Sequence, residues 1–251
     1  MKIIVQKYGG TSVGSIEKIK QIATNIKKLK KLQIVVVVSA MAGETDRLVG
    51  LINSLSKIPN EREYDQIIST GERVSAGLLA LALQRINVKS ITLDPFKLNL
   101  LTDNLHSKAS IISVDIKEIK KNLKSNHVVI IPGFQGINSD NEITTLGRGG
   151  SDLSAVAIAG ALKADRCELL KDDVDGVYTT DPKLYNRAKK IDYISYQEML
   201  EMSSLGSKVL QAKAVELANQ LNIKLYVKST FENKKKGTWV MNENNIPLNK
   251  K

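Results

Sequence analysis

The chain has 251 residues, a formal net charge of +11, 42% hydrophobic residues and one cysteine. That length suits one large α/β domain. The lone Cys167 excludes an intrachain disulfide and fits buried packing, and with no apolar run of membrane-spanning length and no leader pattern, a soluble cytoplasmic protein is expected. The charge comes from 30 lysines and 7 arginines, spread along helical stretches such as 18–31 and 117–124 with little aromatic interleaving. This argues against nucleic-acid binding and for a solvated lysine surface that attracts anionic substrates.

The first predicted strand is Ile3 to Val5. Lys7, Gly9, Gly10, Thr11 and Ser12 follow, and then a helical pattern with Ile16, Ile19, Ile22, Ala23 and Ile26. Gly9 and Gly14 have the spacing of a Walker A loop, but Ser15 and Ile16 stand where its Lys and Ser/Thr belong. Lys7 instead falls at the carboxyl end of the strand, where open α/β sheets bind ligands. A lysine there suits transferring phosphate oxygens; the plain alternative is an exposed lysine beside a tight turn. Ile34 to Val38 is an unbroken β-branched run, the mark of a strand buried on both faces, and the turn Ser39 to Thr45 follows it. Ser69-Thr70-Gly71-Glu72 opens a long apolar helix to about Leu83, with Glu72 either a cap-region acid or a ligand for an ammonium group.

Strands are further predicted at Ser90 to Leu93 and Val128 to Ile131, the latter closed by Pro132-Gly133. Thr144 to Asp152, TTLGRGGSD, then joins that region to a helical pattern at Leu153 to Leu162. Such a glycine loop at a helix start can present backbone N–H groups and positive potential to an anion. Arg148 adds a planar guanidinium suited to carboxylate or phosphate, and Asp152 an anion placed to orient a lysine or a metal. A glycine turn with a surface arginine is the alternative. Arg166 to Leu170, Lys224 to Lys228 and Thr238 to Met241 complete the strands, with a hairpin turn at Asn233 to Lys236. His106 and His127 read as surface or capping residues, and Asp173-x-Asp175-Gly176 lacks EF-hand spacing. Strands alternating with helices imply a mostly parallel sheet covered on both faces.

Taken in order, Lys7-Tyr8-Gly9-Gly10-Thr11-Ser12-Val13, Val38-Ser39-Ala40-Met41-Ala42-Gly43, Ser69-Thr70-Gly71-Glu72, Gly133-Phe134-Gln135-Gly136, Thr145 to Asp152, Asp173 to Pro182 and Gly206-Ser207-Lys208-Val209-Leu210 resemble the catalytic domain of the aspartate kinases (aspartokinases), in the amino-acid-kinase family. Ser229-Thr230-Phe231 and Gly237-Thr238 extend the resemblance to about Val240. It implies a three-layer α/β/α sandwich and transfer of the ATP γ-phosphate to the side-chain carboxylate of L-aspartate, giving 4-phospho-L-aspartate. By resemblance, Lys7 stabilises the transferring group, and Asp152 orients that lysine and supports the metal. Ser39, Thr45, Glu72, Phe134, Arg148, Gly149, Gly150 and Ser151 form the aspartate site, Glu72 taking the ammonium and Arg148 a carboxylate. Gly9, Gly10, Thr11, Ser12, Asp172, Asp173, Tyr178, Lys183 and Lys208 hold the nucleotide. ATP and Mg²⁺ are the implied cofactors, with no separate protein metal centre. The chemistry needs no general base, because a carboxylate is already ionised at neutral pH; it needs charge neutralisation and alignment.

The resemblance also sets an organisation. Residues 1–241 form one kinase domain, its aspartate side about 1–147 and its nucleotide side about 148–241, followed by a polar tail at 242–251. ACT-type regulatory domains have no counterpart, so feedback by lysine or threonine within this polypeptide is not expected. Three features depart from the pattern. Lys171-Asp172-Asp173-Val174 has one residue more than usual, which predicts a shifted loop or a bulge; Lys183 replaces an arginine; Gln211-Ala212-Lys213 replaces His-Pro-Arg. Two other functions stay open: a sister kinase with a different carboxylate acceptor, and a non-catalytic nucleotide- or amino-acid-binding subunit. For partners, a homodimer and a separate regulatory subunit stay open.

Overall fold

The computed structural model describes residues 1–207, 209–232 and 235–248. In chain order the first half runs β1 (Lys2–Tyr8), α1 (Ile16–Lys27), β2 (Leu32–Val38), α2 (Glu44–Leu55), α3 (Glu61–Ile68), α4 (Thr70–Arg85), β3 (Ser90–Thr92), α5 (Pro95–Leu98), β4 (Leu100–Thr102), β5 (Ile111–Val114) and α6 (Lys117–Lys124). Next come β6 (Val128–Pro132), β7 (Gln135–Ile137), β8 (Ile143–Thr145), α7 (Gly150–Leu162), β9 (Arg166–Lys171), β10 (Val177–Tyr178), β11 (Lys190–Ile191) and β12 (Tyr193–Ser195). The chain closes with α8 (Tyr196–Ser204), α9 (Ala212–Gln220), β13 (Leu225–Ser229), β14 (Thr238–Met241) and a 3₁₀ turn at Glu243–Asn245.

The main sheet has the order β12-β14-β13-β9-β1-β2-β6-β3. Its pairs are parallel except β13 with β14. Alternation on the strands explains the layers. Val35 and Val37 of β2 face a core shared with α7 and α9, while Ile34, Val36 and Val38 face one shared with α1 and α4. The β-branched run at 34–38 is therefore a strand with both faces buried. Sheet and two helical layers make the expected three-layer α/β/α fold, and the expected strands all form. α7 is small and apolar, and most of its side chains are buried, so it lies almost wholly inside. At Gly160 a Cβ would lie 2.4 Å from Leu221 Cδ1, so a side chain there would have to displace Leu221. Cys167 is fully buried, as expected.

A second, four-stranded sheet, β5-β4-β7-β8, stands beside the first. Its strands have three or four residues each, too short for a periodicity signal. The predicted bulge at the additional residue of 171–174 is absent from the strand: β9 keeps register with β13 through Lys171↔Ser229. The polar tail is partly packed, with Ile246 buried. Part of the predicted turn at Asn233 to Lys236 falls outside the described residues. Among the described residues, no helix is long and apolar enough to cross a membrane.

Candidate active site

Lys7 stands near the carboxyl end of β1, flanked by β9 and β2. The chain leaves β1 towards β2 on one side, and β9 lies on the other; such a switch point opens a crevice for ligand. Parity sets the face: Val5 belongs to the α7-side core, so Lys7, two residues on, points the same way. There its Nζ lies 2.7 Å from Asp152 Oδ1, in the first turn of α7. Lys171, the last residue of β9, reaches the other carboxylate oxygen at 3.4 Å. Burial alone would raise the Asp152 carboxyl, but the Lys7 and Lys171 ammoniums overcome it and hold it at about 2. Burial lowers Lys7 below the ordinary lysine range against the pull of Asp152, with Lys171 adding like-charge repulsion. The carboxylate has two cations beside it, whereas Lys7 has one anion and one cation.

Two glycine loops frame this cluster. Gly10 is pressed against the strand-end loop after β2, where a Cβ would lie 2.8 Å from Ala40 O, and Gly10 O accepts from Ala42 N–H. Gly9 lies beside Lys7 Nζ. Thr11 is exposed, and the buried Ser12 hydroxyl is 2.7 Å from that of Thr230. Gly147 and Gly149 are left-handed, at φ +71° and +76°, and Gly149 is the N-cap of α7. This aims the positive end of α7 at the cluster. Gln211 packs on Gly149, where a Cβ would come within 2.5 Å of its Cγ, so the departure at 211–213 touches the loop directly. Gly150 and Ser151 are buried, while Arg148 is exposed at the loop tip.

Glu72 sits in the first turn of α4, but its side chain takes a donor from the loop after β2. It is 4% exposed, and its Oε1 accepts from Ala40 N–H at 3.0 Å. Its Oε2 is buried without a donor. Burial raises its carboxyl to about 7, although the Ala40 N–H and the charge of Lys7 oppose this. Ser39 follows β2, and Thr45 lies in the first turn of α2; both are half-buried. Phe134 is left-handed at φ +72°, a conformation that costs a non-glycine residue about 1–3 kcal/mol. Ser154 Oγ, accepting from its N–H, and Leu146 N–H, donating to its carbonyl, hold it there.

Asp172, Asp173 and Tyr178 line a cleft of about 180 Å³ beyond β9 with Pro182, Ser229 and Lys235. Asp172 also pairs with Lys18 at 2.6 Å. Buried Asp175, not among the site residues expected from the sequence, accepts from Tyr178 O–H at 2.7 Å and faces Lys190 at 3.3 Å. Lys183 is exposed next to Pro182, and Lys208 lies outside the described residues. A different hollow of about 240 Å³, between Ser195, Asn219 and Glu243, has no cation in its lining among the described residues to hold a phosphate.

His106 is not an ordinary surface residue. Its Nδ1 lies 3.0 Å from Asp65 Oδ2 and its Nε2 3.4 Å from Glu142. Asp65 is fully buried and also accepts from Ser107 N–H, Thr145 N–H and the Thr145 hydroxyl at 2.9, 3.0 and 2.6 Å. It thereby ties α3, the 105–107 turn and β8 together just before the Arg148 loop. Nothing local in the sequence marks it, because its partners lie 41 to 80 residues away. Asp65→Asn sets an amide NH₂ against donors, so a loss of about 2–4 kcal/mol is expected in urea unfolding. An unchanged midpoint would refute the tie.

The profile of the Amino acid kinase family matches residues 2–229. The chain is 50% identical over 234 residues to the Pseudomonas aeruginosa protein named aspartokinase, covering 92% of this chain and 57% of that one. It therefore spans little more than half the length of that relative. The Synechocystis aspartate kinase structure superposes with a TM-score of 0.86 at 45% identity, over 96% of this chain and 40% of that one. Escherichia coli aspartokinase III, in complex with aspartate and ADP, superposes with a TM-score of 0.84 at 28% identity, over 98% and 66%. With the glycine loops, the Lys7–Asp152 pair and a profile match over nearly its whole length, the chain belongs to the amino acid kinase family.

Proposed function

We infer that this chain is the kinase portion of an aspartate kinase, which transfers the γ-phosphoryl group of ATP to the side-chain carboxylate of L-aspartate. The observation that carries the reading is Glu72 Oε2, a buried carboxylate oxygen without a donor in an acid whose charge interacts with Lys7. An orphan carboxylate oxygen calls for a cationic donor, and an α-ammonium beside a phosphoryl-transfer lysine is what an amino-acid acceptor supplies. The relatives named aspartokinase, and one solved with aspartate and ADP, support the same assignment.

In this reading Glu72 takes the ammonium and Arg148 a carboxylate, with Ser39, Thr45, Phe134 and the residues 149–151 around the substrate. One aspartate side-chain oxygen bonds to the γ-phosphorus as the bond to the β–γ bridging oxygen breaks, and that electron pair leaves with ADP. No proton moves. Lys7 neutralises the transferring oxygens, and Asp152 holds Lys7 in place. The cleft lined by Asp172, Asp173 and Tyr178 takes the nucleotide, so the aspartate side falls mainly in about 1–147, with Arg148 and 149–151 at the boundary, and the nucleotide side mainly in about 148–241. Among the described residues no cluster of three or more metal-ligating side chains is found. Asp152, a single buried carboxylate beside the proposed phosphate site, nonetheless fits Mg²⁺, which commonly binds one or two carboxylates together with substrate phosphates. When bound, Mg²⁺ supplies charge neutralisation on those phosphates.

The deciding experiment is turnover of purified protein with ATP, Mg²⁺, hydroxylamine and a panel of acceptors, scoring acyl hydroxamate. Product with L-aspartate, and none with glutamate or acetylglutamate, is expected. Product only with another acceptor would make it a sister kinase, and ATP binding without any product a non-catalytic subunit.

A further inference from the structure

We propose that Lys171 is a further catalytic residue, a second ammonium that contacts the transferring phosphoryl group opposite Lys7. The proposal rests on the phosphotransfer reading above. Parity places it: Cys167 and Leu169 of β9 belong to the α7-side core, so Lys171 points to the face that carries Lys7 and Asp152. β9 and β1 are adjacent and in parallel register, with Lys7 opposite Leu169, so the two ammoniums flank the crevice at the switch point. They meet the two oxygens of one carboxylate, Lys7 at 2.7 Å and Lys171 at 3.4 Å.

Charge counting separates a catalytic role from a structural one. Asp152 carries one negative charge, and Lys7, the closer and more deeply buried partner, already matches it. Lys171 is a second ammonium on that one carboxylate, farther from it than Lys7, and its side chain is 18% exposed against 8% for Lys7. Its chain neighbours Asp172 and Asp173 line the cleft beyond β9. The second ammonium thus stands between the Lys7–Asp152 pair and the nucleotide cleft. Charge builds there as the β–γ bridging oxygen takes the electron pair of the breaking bond and the aspartate oxygen bonds to phosphorus. A cation held there before reaction costs no reorganisation during it.

The test compares wild type, Lys171→Met and Lys171→Arg by steady-state kinetics and by binding of ADP with and without aluminium fluoride, a mimic of the transferring phosphoryl group. Lys171→Met is expected to lower kcat by about 10²- to 10³-fold, with the KM for aspartate within about threefold. Lys171→Arg, which restores the charge, is expected to recover at least about tenfold of that loss. Aluminium fluoride is expected to tighten ADP binding in wild type and not in Lys171→Met, while affinity for ADP alone stays unchanged. A Lys171→Met enzyme with wild-type kcat and wild-type aluminium fluoride tightening overturns the proposal. So does loss of ADP affinity in Lys171→Met without recovery in Lys171→Arg, which would make the residue structural, or absence of the tightening in wild type. If wild type forms no aspartyl product, the aspartate reading falls, and the ADP–aluminium fluoride comparison still decides the role of Lys171.

Discussion

Lys7→Ala is expected to lower kcat by about three orders of magnitude while ATP affinity changes by no more than about threefold. The reasoning starts from β1. Its parity turns Lys7 towards α7, and its position near the strand end brings Nζ to Asp152 at 2.7 Å. A buried ammonium in a fixed ion pair is pre-organised. It gains interaction energy when charge gathers on the oxygens in flight, more than when ATP merely binds. Alanine removes that charge and leaves Asp152 with Lys171 alone, so the carboxylate keeps one partner and the fold survives. Hydroxamate kinetics together with equilibrium ATP binding read both quantities. A variant with wild-type kcat, or one that loses ATP binding in proportion to rate, would show that Lys7 serves affinity and not the transition state.

Glu72→Gln is expected to raise the KM for aspartate by about two orders of magnitude and to alter the response of the unliganded protein to pH. Burial holds the Glu72 carboxyl at about 7, against an ordinary value of 4.5. The folded state therefore binds this proton more tightly than the unfolded state. Stability from this group is fully present below the unfolded value and is lost as pH rises from about 4.5 to about 7, up to about 3 kcal/mol in all. Glutamine lacks that proton, so the thermal midpoint of wild type falls relative to Glu72→Gln over that window. In the proposed reading the ammonium of L-aspartate pairs with the ionised form, so aspartate is expected to offset the loss. It also makes kcat/KM for aspartate rise with pH through about 7 in wild type and not in the variant. A difference in midpoint that stays flat from pH 5 to 8 would remove the ammonium-site assignment.

Most of the fold is legible in the sequence because its signals are local. Five consecutive β-branched residues at 34–38 announce a strand without a solvent face, and glycines at 9–10 and 147–150 announce the turns that end strands and open helices. The same locality exposes Lys7, Glu72, Arg148 and Asp152, each next to such a turn. The four-stranded second sheet is hidden by strands of three or four residues. Asp65, His106, Asp175 and Lys171 are hidden for another reason. They are charged or polar residues in ordinary helical, loop or strand-end contexts, and only tertiary folding brings their partners near. His106 illustrates this, since its polar neighbourhood in sequence reads as surface while its ring lies against a fully buried carboxylate. Lys171 is one of thirty lysines, and its contact with Asp152 in the folded chain distinguishes it from the others.

The central place of β1 also bears on how the chain is made. β1 pairs with β2, which follows it closely, and with β9, whose Glu168 accepts from the Gln6 amide across a separation of 162 residues. At about 5–20 residues per second, a ribosome takes roughly 8–30 s to supply that second neighbour. During this interval the apolar strand destined for the middle of the sheet has an open edge, and Lys7 has no Asp152. Edges of this kind template pairing between chains. The strand that carries Lys7 is therefore the one the nascent polypeptide leaves unprotected longest, and it is where a holding chaperone has most to gain.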